Sequence, residues 1–596
     1  MSEVCVELVG KLVGEMLGLS KEELSPSDNL ISLGLGSLDI MRIAGLLTKN
    51  GCNVTFSELV SNPCMASWVN FARERSARSS SNGSPLLGSA NYSKGDPFPI
   101  TSVQHAYMVG RRDGQELGGT ACHAYMEFEC GSLDAAKLER AVELLILRHP
   151  MLRARFSDDG TARIEDKVTW KGLTTYRVEG AGNPDSRIEG IRQELSHLRF
   201  DIEQDDLIDV RLTVVSPKRT IMHINVDLLA ADVLSIQVLL EDLAHLYDGT
   251  DLAPIEIDFM EYARRTGIGE DARNEDREYW LNRIDNMPGG PSLPLKAPME
   301  SVKRSQFTRM EYLIDSKSWK NFTEKGRQIG VTQSMGIAAV YAKALSRWSE
   351  DKKFLLNLPL FNRKPIHPDV DKIVSDFTSL ILLEADCANA ISLLELASQM
   401  QGRFQQDVAH SSFGAVEVLR ELSHRCPNDP KKAPVVFASN IGTQFISNKV
   451  EDVFGPLSKM LAETPQVLLD HQIYDHKNGL LLAWDYVSEL LDDKIAKQMF
   501  EAYCTAVRFY CENDWSEPFP DLLPPSQRAA RAEANSEGAD LGGGTLHGRF
   551  FARAQAEPDA PALRWGADGE ATYGELAGRA LRIAGGLAAA GVGEGD

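Results

Sequence analysis

Residues 221–238, IMHINVDLLAADVLSIQV, decide the fold of the central part of the chain. Apolar and polar residues alternate over 221–227, which predicts a strand, and apolar residues recur with helical spacing over 233–247. Asp227 would end the strand, and Asp232 would stand at the helix start, where the helix dipole favours a carboxylate. A buried charge is costly unless it is paired or hydrogen-bonded. We therefore expect these two acids either to pair with arginine or to carry acid–base chemistry.

The composition excludes several classes of protein. The chain has 596 residues, 43% hydrophobic and 25% charged, which predicts a globular protein of roughly 3–5 domains. A formal net charge of −22 argues against nucleic acid or an anionic membrane as partner. The start, MSEVCVELVGKLVGE, lacks the pattern of a signal peptide, and no apolar run is long enough to span a membrane. The nine cysteines are scattered, which favours free thiols in a reducing cytoplasm, and no metal-ligand pattern is present.

The pattern along the chain predicts five segments. Residues 1–75 have helical periodicity and form a small helical unit, and 76–96, rich in Ser, Gly and Asn, form a flexible linker. Strand-like and amphipathic helical runs alternate over 97–523, which predicts an α/β domain with two sub-domains. Residues 524–545 form a second linker, and 546–596 begin another domain.

Ser37 lies in the sequence LGLGSLDIMRI, at the junction of a loop and a helix. By position alone it is an N-cap, although a helix N-terminus also suits an attached phosphate. The stretch resembles the attachment site of acyl, aryl and peptidyl carrier proteins, except that Gly36 replaces their usual Asp. The resemblance implies a four-helix-type carrier domain with 4′-phosphopantetheine attached to Ser37 by a phosphopantetheinyl transferase.

Eight motifs recur in order over 97–523, among them FPITSVQHAYMVGR, DLLAADVLS, DFTSLILLE, APVVFASNIG and TPQVLLDHQ. Together they resemble the heterocyclization domains of nonribosomal peptide synthetases, a branch of the condensation domains. That resemblance implies a two-lobed α/β fold like that of chloramphenicol acetyltransferase. Asp227 and Leu228 replace the two histidines of ordinary condensation domains, and the pattern of Asp227, Asp232 and Ser235 is the heterocyclization signature. Within it, an architectural role is the better interpretation of the two acids.

The family chemistry needs a proton donor and a base, because the ring closes on an amide carbonyl and its oxygen leaves as water. The resemblance assigns cyclodehydration to the segment containing Asp470, although a solvated loop acid is the alternative. In the family this aspartate works with a threonine, whose position here is occupied by Ala438. Ser439 is one candidate substitute, and Asp470 acting alone or through water is another. Asn357 would orient intermediates, or simply cap a strand.

Residues 546–596 resemble the opening of an α/β adenylation domain, without its phosphate loop, so no adenylation activity is expected. The order of domains resembles the first subunit of pyochelin- and yersiniabactin-type siderophore synthetases. It implies a salicyl or 2,3-dihydroxybenzoyl thioester, loaded by a free-standing aryl-acid adenylating ligase, and condensation with cysteine on a downstream carrier to give an aryl-thiazoline. Three alternatives stay open: an oxazoline from serine or threonine, amide formation without cyclization, and a carrier or docking module without turnover.

Overall fold

The structure is a computed structural model. It describes all of the chain except residues 1, 18, 20–23, 34, 36–38, 41–42, 45, 48–51, 53, 55, 78–94, 179–182, 267–269, 362, 365, 427–430, 537–544, 546, 566–568 and 594–596. The chain divides into two compact units, residues 1–522 and residues 523–596.

The described helices are α1 (Ser2–Leu17), α2 (Phe56–Ser61), α3 (Met65–Ala77), α4 (Ser102–Gly110), α5 (Ala135–Arg148), α6 (Pro184–Ser196), α7 (Val233–Tyr247), α8 (Phe259–Thr266), α9 (Glu270–Leu281), α10 (Ser316–Gln328), α11 (Gln333–Ser346), α12 (Leu393–Val408), α13 (Ala415–Arg425), α14 (Asn448–Phe454), α15 (Asp493–Glu512), α16 (Pro525–Ser536), α17 (Gly548–Ala556) and α18 (Tyr573–Ala589). Short 3₁₀ turns lie at Pro150–Arg153, Ile284–Asn286, Met299–Ser301 and Val370–Lys372.

The strands are β1 (Phe98–Pro99), β2 (His123–Cys130), β3 (Ala154–Ser157), β4 (Thr161–Ile164), β5 (Thr174–Arg177), β6 (Ile208–Ser216), β7 (Arg219–Asp227), β8 (Phe307–Asp315), β9 (Lys353–Phe361), β10 (Thr378–Asp386), β11 (Val435–Gln444), β12 (Leu457–Glu463), β13 (Leu469–His476), β14 (Gly479–Val487), β15 (Pro561–Trp565) and β16 (Gly569–Thr572).

The N-terminal part of the first unit is helical, as predicted. Helices α1 and α3 pack together, and Val9, Val13 and Trp68 lie fully buried between them and their neighbours. The Trp68 indole donates a hydrogen bond to the carbonyl of Leu59 at 2.9 Å, which ties α3 to α2. The predicted helix over 38–50 falls largely outside the described residues.

The prediction of free thiols is confirmed for seven cysteines and wrong for one. Those recorded as free are Cys64, Cys122, Cys130, Cys387, Cys426, Cys504 and Cys511. Cys52 is disulfide-bonded, and its side chain is fully buried in the helical part. Scattered spacing along the sequence could not reveal this, because a disulfide depends on which cysteines the fold brings together.

The rest of the first unit forms two lobes, each built on a sheet. The first lobe has the strand order β12-β2-β7-β6-β5, and the second has β10-β9-β11-β13-β14-β8, with β11 parallel to both of its neighbours. A small sheet, β1-β4-β3, flanks the first lobe. The predicted α/β class is thus confirmed. Strand β7 ends at Asp227 as predicted, and helix α7 has the predicted bounds.

Strand β12 links the two lobes. It lies in the chain between β11 and β13, which are both in the six-stranded sheet, but it pairs antiparallel with β2 of the five-stranded sheet. Each lobe has its own apolar core, and the segment that precedes β10 packs against the first-lobe core through Ile373, Val374 and Phe377. The second lobe therefore sends two segments across to the first, and these fix the walls of the space between them.

The second unit contains the helices α16, α17 and α18 and the hairpin of β15 and β16. Helix α16 lies inside the stretch that the sequence predicts to be a linker. Its Ala- and Arg-rich sequence has high helix propensity and begins with proline, which is favoured at the first helical position. No residue of α16 is buried.

Within the described ranges, no helix is both long enough and apolar enough to cross a membrane. The same ranges contain no cluster of three or more His, Cys, Asp or Glu side chains arranged to hold a metal ion.

Candidate active site

A cavity of about 540 Å³ lies between the two lobes. The first lobe lines it with Tyr107, Leu228 and Asp232, and the second lobe with residues from β9, β11 and β13. Its polar lining on the second-lobe side includes Asn357 and Asp470. The motifs that contain Asp232, Asn357 and Asp470 are far apart in the sequence, but they line the same cavity.

Asp227 ends strand β7 and forms a buried ion pair. Its Oδ2 accepts a hydrogen bond from Arg111 Nη1 at 2.7 Å, and the two side chains are 0% and 4% exposed. Its Oδ1 accepts the Leu229 N–H at 3.0 Å. Arg111 also donates to the carbonyl of Phe200 at 3.1 Å. These contacts satisfy the carboxylate and support an architectural role for Asp227.

Asp232 is the N-cap of α7 and forms a second buried ion pair. Its Oδ1 accepts the Ser235 N–H at 2.7 Å and Arg363 Nη2 at 2.9 Å. The Ser235 hydroxyl accepts a second bond from Arg363 Nη2 and donates to the Ser375 carbonyl at 2.7 Å. The guanidinium of Arg363 stacks 4.2 Å from the ring of Phe377. Asp232 and Ser235 thus join the start of α7 to the segment that precedes β10.

One row of residues crosses the six-stranded sheet in register. Residues that pair directly on neighbouring strands project from the same face of a sheet. This row runs from β9 to β8 through Asn357, Val436, Asp470, Asp485 and Arg309. The fold therefore places Asn357 and Asp470 on one face, two strands apart, although 113 positions separate them in the sequence.

Asp470 is a buried carboxyl with one free oxygen. Its Oδ2 accepts a hydrogen bond from the Gln472 amide at 2.5 Å, and its Oδ1 has no partner among the described residues. Burial, reinforced by the neighbouring carboxylate of Asp485, raises the pKa of Asp470 to about 7. Asp485 itself is paired with Arg309 at 2.5 Å. An acid with this pKa can both donate and accept a proton at neutral pH.

Asn357 faces the same cavity from β9. Its side-chain oxygen is buried and has no hydrogen-bond partner in the described part of the chain. A buried amide oxygen without a partner costs free energy, so it is expected to meet a polar group when the cavity is filled. This geometry favours an orienting role over that of a strand cap.

Ala438 and Ser439 point to opposite faces of β11. Ala438 lines the cavity and pairs with Gln472, which follows Asp470 by two residues on β13. Ser439 points away, and its hydroxyl lies 2.7 Å from that of Ser334 on α11. Because side chains alternate along a strand, the structure does not bring Ser439 to Asp470. The expectation that Ser439 substitutes for the family threonine is corrected accordingly.

Asp376 is a further acid of the cavity to which the sequence reasoning gave no role. It is 1% exposed and lies two residues before β10. Its Oδ1 accepts the Thr378 N–H at 3.0 Å, and its Oδ2 has no partner among the residues described. Burial raises the pKa of Asp376 to about 7. The only signal in the sequence is an acid directly before an apolar strand, in a motif used solely to recognise the family.

The histidines nearest Asp470 and Asp227 in the sequence, His471 and His223, are part of the core. His471 lies on the opposite face of β13 from Asp470, where Nδ1 donates to the Ala483 carbonyl at 2.9 Å and Nε2 lies 2.7 Å from the Tyr503 hydroxyl. Burial lowers the pKa of His471 to about 3. His223 is fully buried and lies within 2.9 Å of the hydroxyls of Tyr125 and Thr213. Ser37 and Gly36 lie outside the described residues.

Comparison with known families identifies both parts of the first unit. Residues 98–513 match the family described as Condensation domain, and residues 7–72 match the family described as Phosphopantetheine attachment site. The chain belongs to the condensation-domain family. Its N-terminal helical part is a phosphopantetheine attachment domain, so covalently attached 4′-phosphopantetheine is its cofactor.

Two relatives are similar to this chain over almost its whole length. Phenyloxazoline synthase MbtB of Mycolicibacterium paratuberculosis is 36% identical over 98% of this chain and 50% of its own length. Pyochelin synthetase PchE of Pseudomonas aeruginosa is 36% identical over 99% of this chain and 41% of its own length. The chain thus spans about half the length, or less, of these curated relatives.

A solved structure agrees with the fold of the larger part. The cyclization-docking bidomain of the nonribosomal peptide synthetase EpoB from Sorangium cellulosum is similar with a TM-score of 0.65 and 30% identity. The match covers 71% of this chain and 87% of that one.

Replacing Arg111 by Met should destabilise the protein strongly. It leaves Asp227 buried without its partner, and breaking a buried pair costs about 3–5 kcal/mol of the free energy of unfolding. Urea unfolding followed by tryptophan fluorescence measures the change. Arg112→Met is the matched control, because the pair of Arg112 with Asp158 is exposed and should contribute less than about 1 kcal/mol. Equal losses in the two variants would contradict the architectural role.

The pH dependence of stability should change in Asp470→Asn. A carboxyl whose pKa is about 7 when folded and about 4 when unfolded favours folding below pH 4 and loses that contribution as the pH rises to 7. Asparagine does not ionise, so the stability of the variant relative to that of the wild type should increase between pH 5 and pH 8. Thermal melting of both proteins at pH 5 and at pH 8 gives the Tm of the variant minus that of the wild type. This difference should be larger at pH 8 by about 2 °C or more. For the control Asp158→Asn, at an exposed position, the difference in Tm from the wild type should be the same at both pH values. The same result for Asp470→Asn would refute the raised pKa of Asp470.

Proposed function

We propose that this chain condenses an acyl thioester carried on its own N-terminal domain with a carrier-bound amino acid, and then closes the product to a five-membered heterocycle by loss of water. The observation that carries the proposal is the Asp470 carboxyl, buried in the cavity between the lobes with one oxygen free and a pKa of about 7. The membership in the condensation-domain family and the EpoB cyclization domain support the same chemistry.

Ser37 is the proposed attachment point of 4′-phosphopantetheine, a long arm that holds the acyl group as a thioester. The matching family covers residues 7–72, and Ser37 supplies the hydroxyl that the attachment needs. In the sequence it lies two residues before Asp39, which is already helical. A phosphate at a helix start is favoured by the free N–H groups and the dipole there.

Asp470 acts twice during ring closure. As a carboxylate it takes the proton of the attacking thiol or hydroxyl and passes it to the former carbonyl oxygen of the amide. It then takes the amide N–H proton and gives it to that same oxygen, which leaves as water while the carbon–nitrogen double bond forms. Asn357, on the same face of the sheet, donates from its amide to hold the intermediate, and its free oxygen accepts from it.

A second candidate function is amide formation without cyclization. It is favoured by Ala438, because the position next to Gln472 that carries a threonine hydroxyl in the family presents only a methyl group to the cavity. Asp470 would then lack a hydroxyl partner, and ring closure would depend on Asp470 alone or on a bound water.

The substrates and partners follow from the relatives. MbtB is named a phenyloxazoline synthase and PchE a pyochelin synthetase, so we propose an aryl donor, salicyl or 2,3-dihydroxybenzoyl, in siderophore biosynthesis. Cysteine would give a thiazoline, and serine or threonine an oxazoline. The proposed partners are a phosphopantetheinyl transferase, a free-standing aryl-acid adenylating ligase and a downstream cysteinyl carrier.

The proposed domain boundaries are 1–75 for the carrier, 97–523 for the heterocyclization domain and 546–596 for the start of an adenylation domain, with linkers between them. The division of the chain at residue 523 and the family matches at 7–72 and 98–513 support the first two.

Asp470→Asn should stop the reaction at the amide. With Ser37 loaded with salicyl-phosphopantetheine and cysteine supplied on a carrier, intact-mass analysis should find the product of the wild type lighter than the amide by one water. The variant should accumulate the uncyclised amide, with ring closure slowed by about 10²-fold or more, because a positioned proton-transfer group contributes ~10²–10⁴-fold.

Ser37→Ala, which has no hydroxyl to modify, is the control for loading and should yield no product mass at all. A wild type that gives only the amide would support the second candidate function. Equal loss of both steps in Asp470→Asn would count against the assigned role.

Ala438→Thr should accelerate ring closure. The threonine hydroxyl would enter the cavity beside Asp470, and the expected gain in the cyclodehydration rate is about tenfold or more. Single-turnover kinetics by mass spectrometry measures the rate. Ser439→Thr is the matched control, because the neighbouring side chain points to the other face of β11 and should leave the rate unchanged. A similar gain in both variants would refute the facing that the structure gives to β11.

A further inference from the structure

Asp376 shares the cavity with Asp470 but belongs to its opposite wall. The segment around Asp376 is bound to the start of α7: the Asp232 N–H donates to the Ser375 carbonyl at 3.1 Å, and the Phe377 N–H donates to Asp232 Oδ2 at 3.3 Å. Asp376 therefore stands beside the stretch 227–235, whereas Asp470 stands on β13. Tyr107, which also lines the cavity, lies within electrostatic range of both acids.

The position of Asp376 matters because the neighbouring residue 228 does not provide a base. In the motif of ordinary condensation domains the second histidine corresponds to Leu228, and Leu228 lines the cavity here. An apolar side chain cannot accept a proton. Amide formation nevertheless releases a proton from the attacking amine, so another base must lie near this wall.

The other acids near this wall are already engaged. Asp232 is bound to Arg363, and Asp227 to Arg111. Glu116, which also lines the cavity, is paired with Lys432. Burial raises the pKa of Tyr107 well above its usual value, so its hydroxyl does not ionise at neutral pH. Of the acids that line the cavity in the described ranges, Asp376 and Asp470 each have an oxygen without a partner.

We propose that Asp376 is the base for the amide-forming step, so that the two free carboxyls of the cavity divide the reaction between them. The inference rests on the proposed function and adds a residue to it. A carboxyl with a pKa of about 7 is half ionised at neutral pH, which suits this task.

The step balances with one carboxylate. The amine nitrogen attacks the carbonyl carbon of the donor thioester, a carbon–nitrogen bond forms and the carbon–sulfur bond breaks. Asp376 takes one proton from the nitrogen through its free Oδ2 and gives it to the departing thiolate. The carboxylate is restored, the products are an amide and a thiol, and no oxidant or further reactant is needed.

The test separates the two steps with two substrates on the whole 596-residue chain loaded at Ser37. The first is the salicyl thioester with cysteine on a carrier, which reports amide formation. The second is the preformed salicyl-cysteinyl thioester on that carrier, which reports ring closure alone. In Asp376→Asn, amide formation should fall by about hundredfold while ring closure stays within about threefold of the wild type.

Asp386→Asn is the matched control. Asp386 ends the same strand that Asp376 precedes, and it accepts the Ala388 N–H at 3.1 Å just as Asp376 accepts that of Thr378 at 3.0 Å, but it does not line the cavity. It should alter neither step. If Asp376→Asn fails to fold, Asp376→Ser, which keeps an acceptor oxygen for Thr378, is measured in its place.

Rescue distinguishes a base from a structural acid. Adding Leu228→His to Asp376→Asn should raise the rate of amide formation at least tenfold. If Asp376 had a purely structural role, the added histidine would not raise this rate. Amide formation within threefold of the wild type in Asp376→Asn, or equal losses in both steps, would overturn the inference. A wild type that cyclises neither substrate would instead overturn the proposed function.

Discussion

Two buried arginine–aspartate pairs determine which carboxyls of this cavity are left free. Arg111 with Asp227 and Arg363 with Asp232 neutralise the acids at both ends of the turn between β7 and α7. Since removing one partner of a buried pair costs about 3–5 kcal/mol, both pairs are expected to be important for the stability of the turn. Both carboxylates are bound by a guanidinium, so the proposed proton chemistry is assigned to the carboxyls that the pairs leave free.

The register of the six-stranded sheet determines where one of those free carboxyls stands. Asp470 and Asp485 are paired across β13 and β14, and Arg309 on β8 binds only the second of them. The arginine therefore binds the carboxylate of Asp485 alone, and burial raises the pKa of Asp470 to about 7, so that it is about half protonated near neutral pH. A shift of one residue in β13 would replace Asp470 by His471 in the cavity, so the chemistry depends on this register.

Local patterns in the sequence predicted the elements well and the site in part. The alternation over 221–227 and the helical spacing over 233–247 depend only on neighbouring residues, so the strand ends and the helix begins and ends where predicted. The motif around Ser439 indicates a hydroxyl, but the face of β11 on which this hydroxyl lies follows from the position of Ser439 in the strand alternation. Asp376 was missed because its burial arises from packing against α7, more than 130 positions away. Such contacts are set by tertiary structure, which no local pattern contains.

The methyl group of Ala438 limits what the cavity can do. On the same face as Asp470, Asp485 and Arg309 bind each other, and the amides nearby are those of Gln472, which already binds Asp470 Oδ2, and Asn357. Neither amide is acidic enough to protonate a departing oxygen, so in the proposed reaction Asp470 carries both proton transfers of ring closure. A single acid can do so only if its pKa lies near the working pH, since it has to give up each proton as readily as it takes it. The burial that raises the pKa of Asp470 to about 7 is thus the property that lets one carboxyl replace a pair of groups.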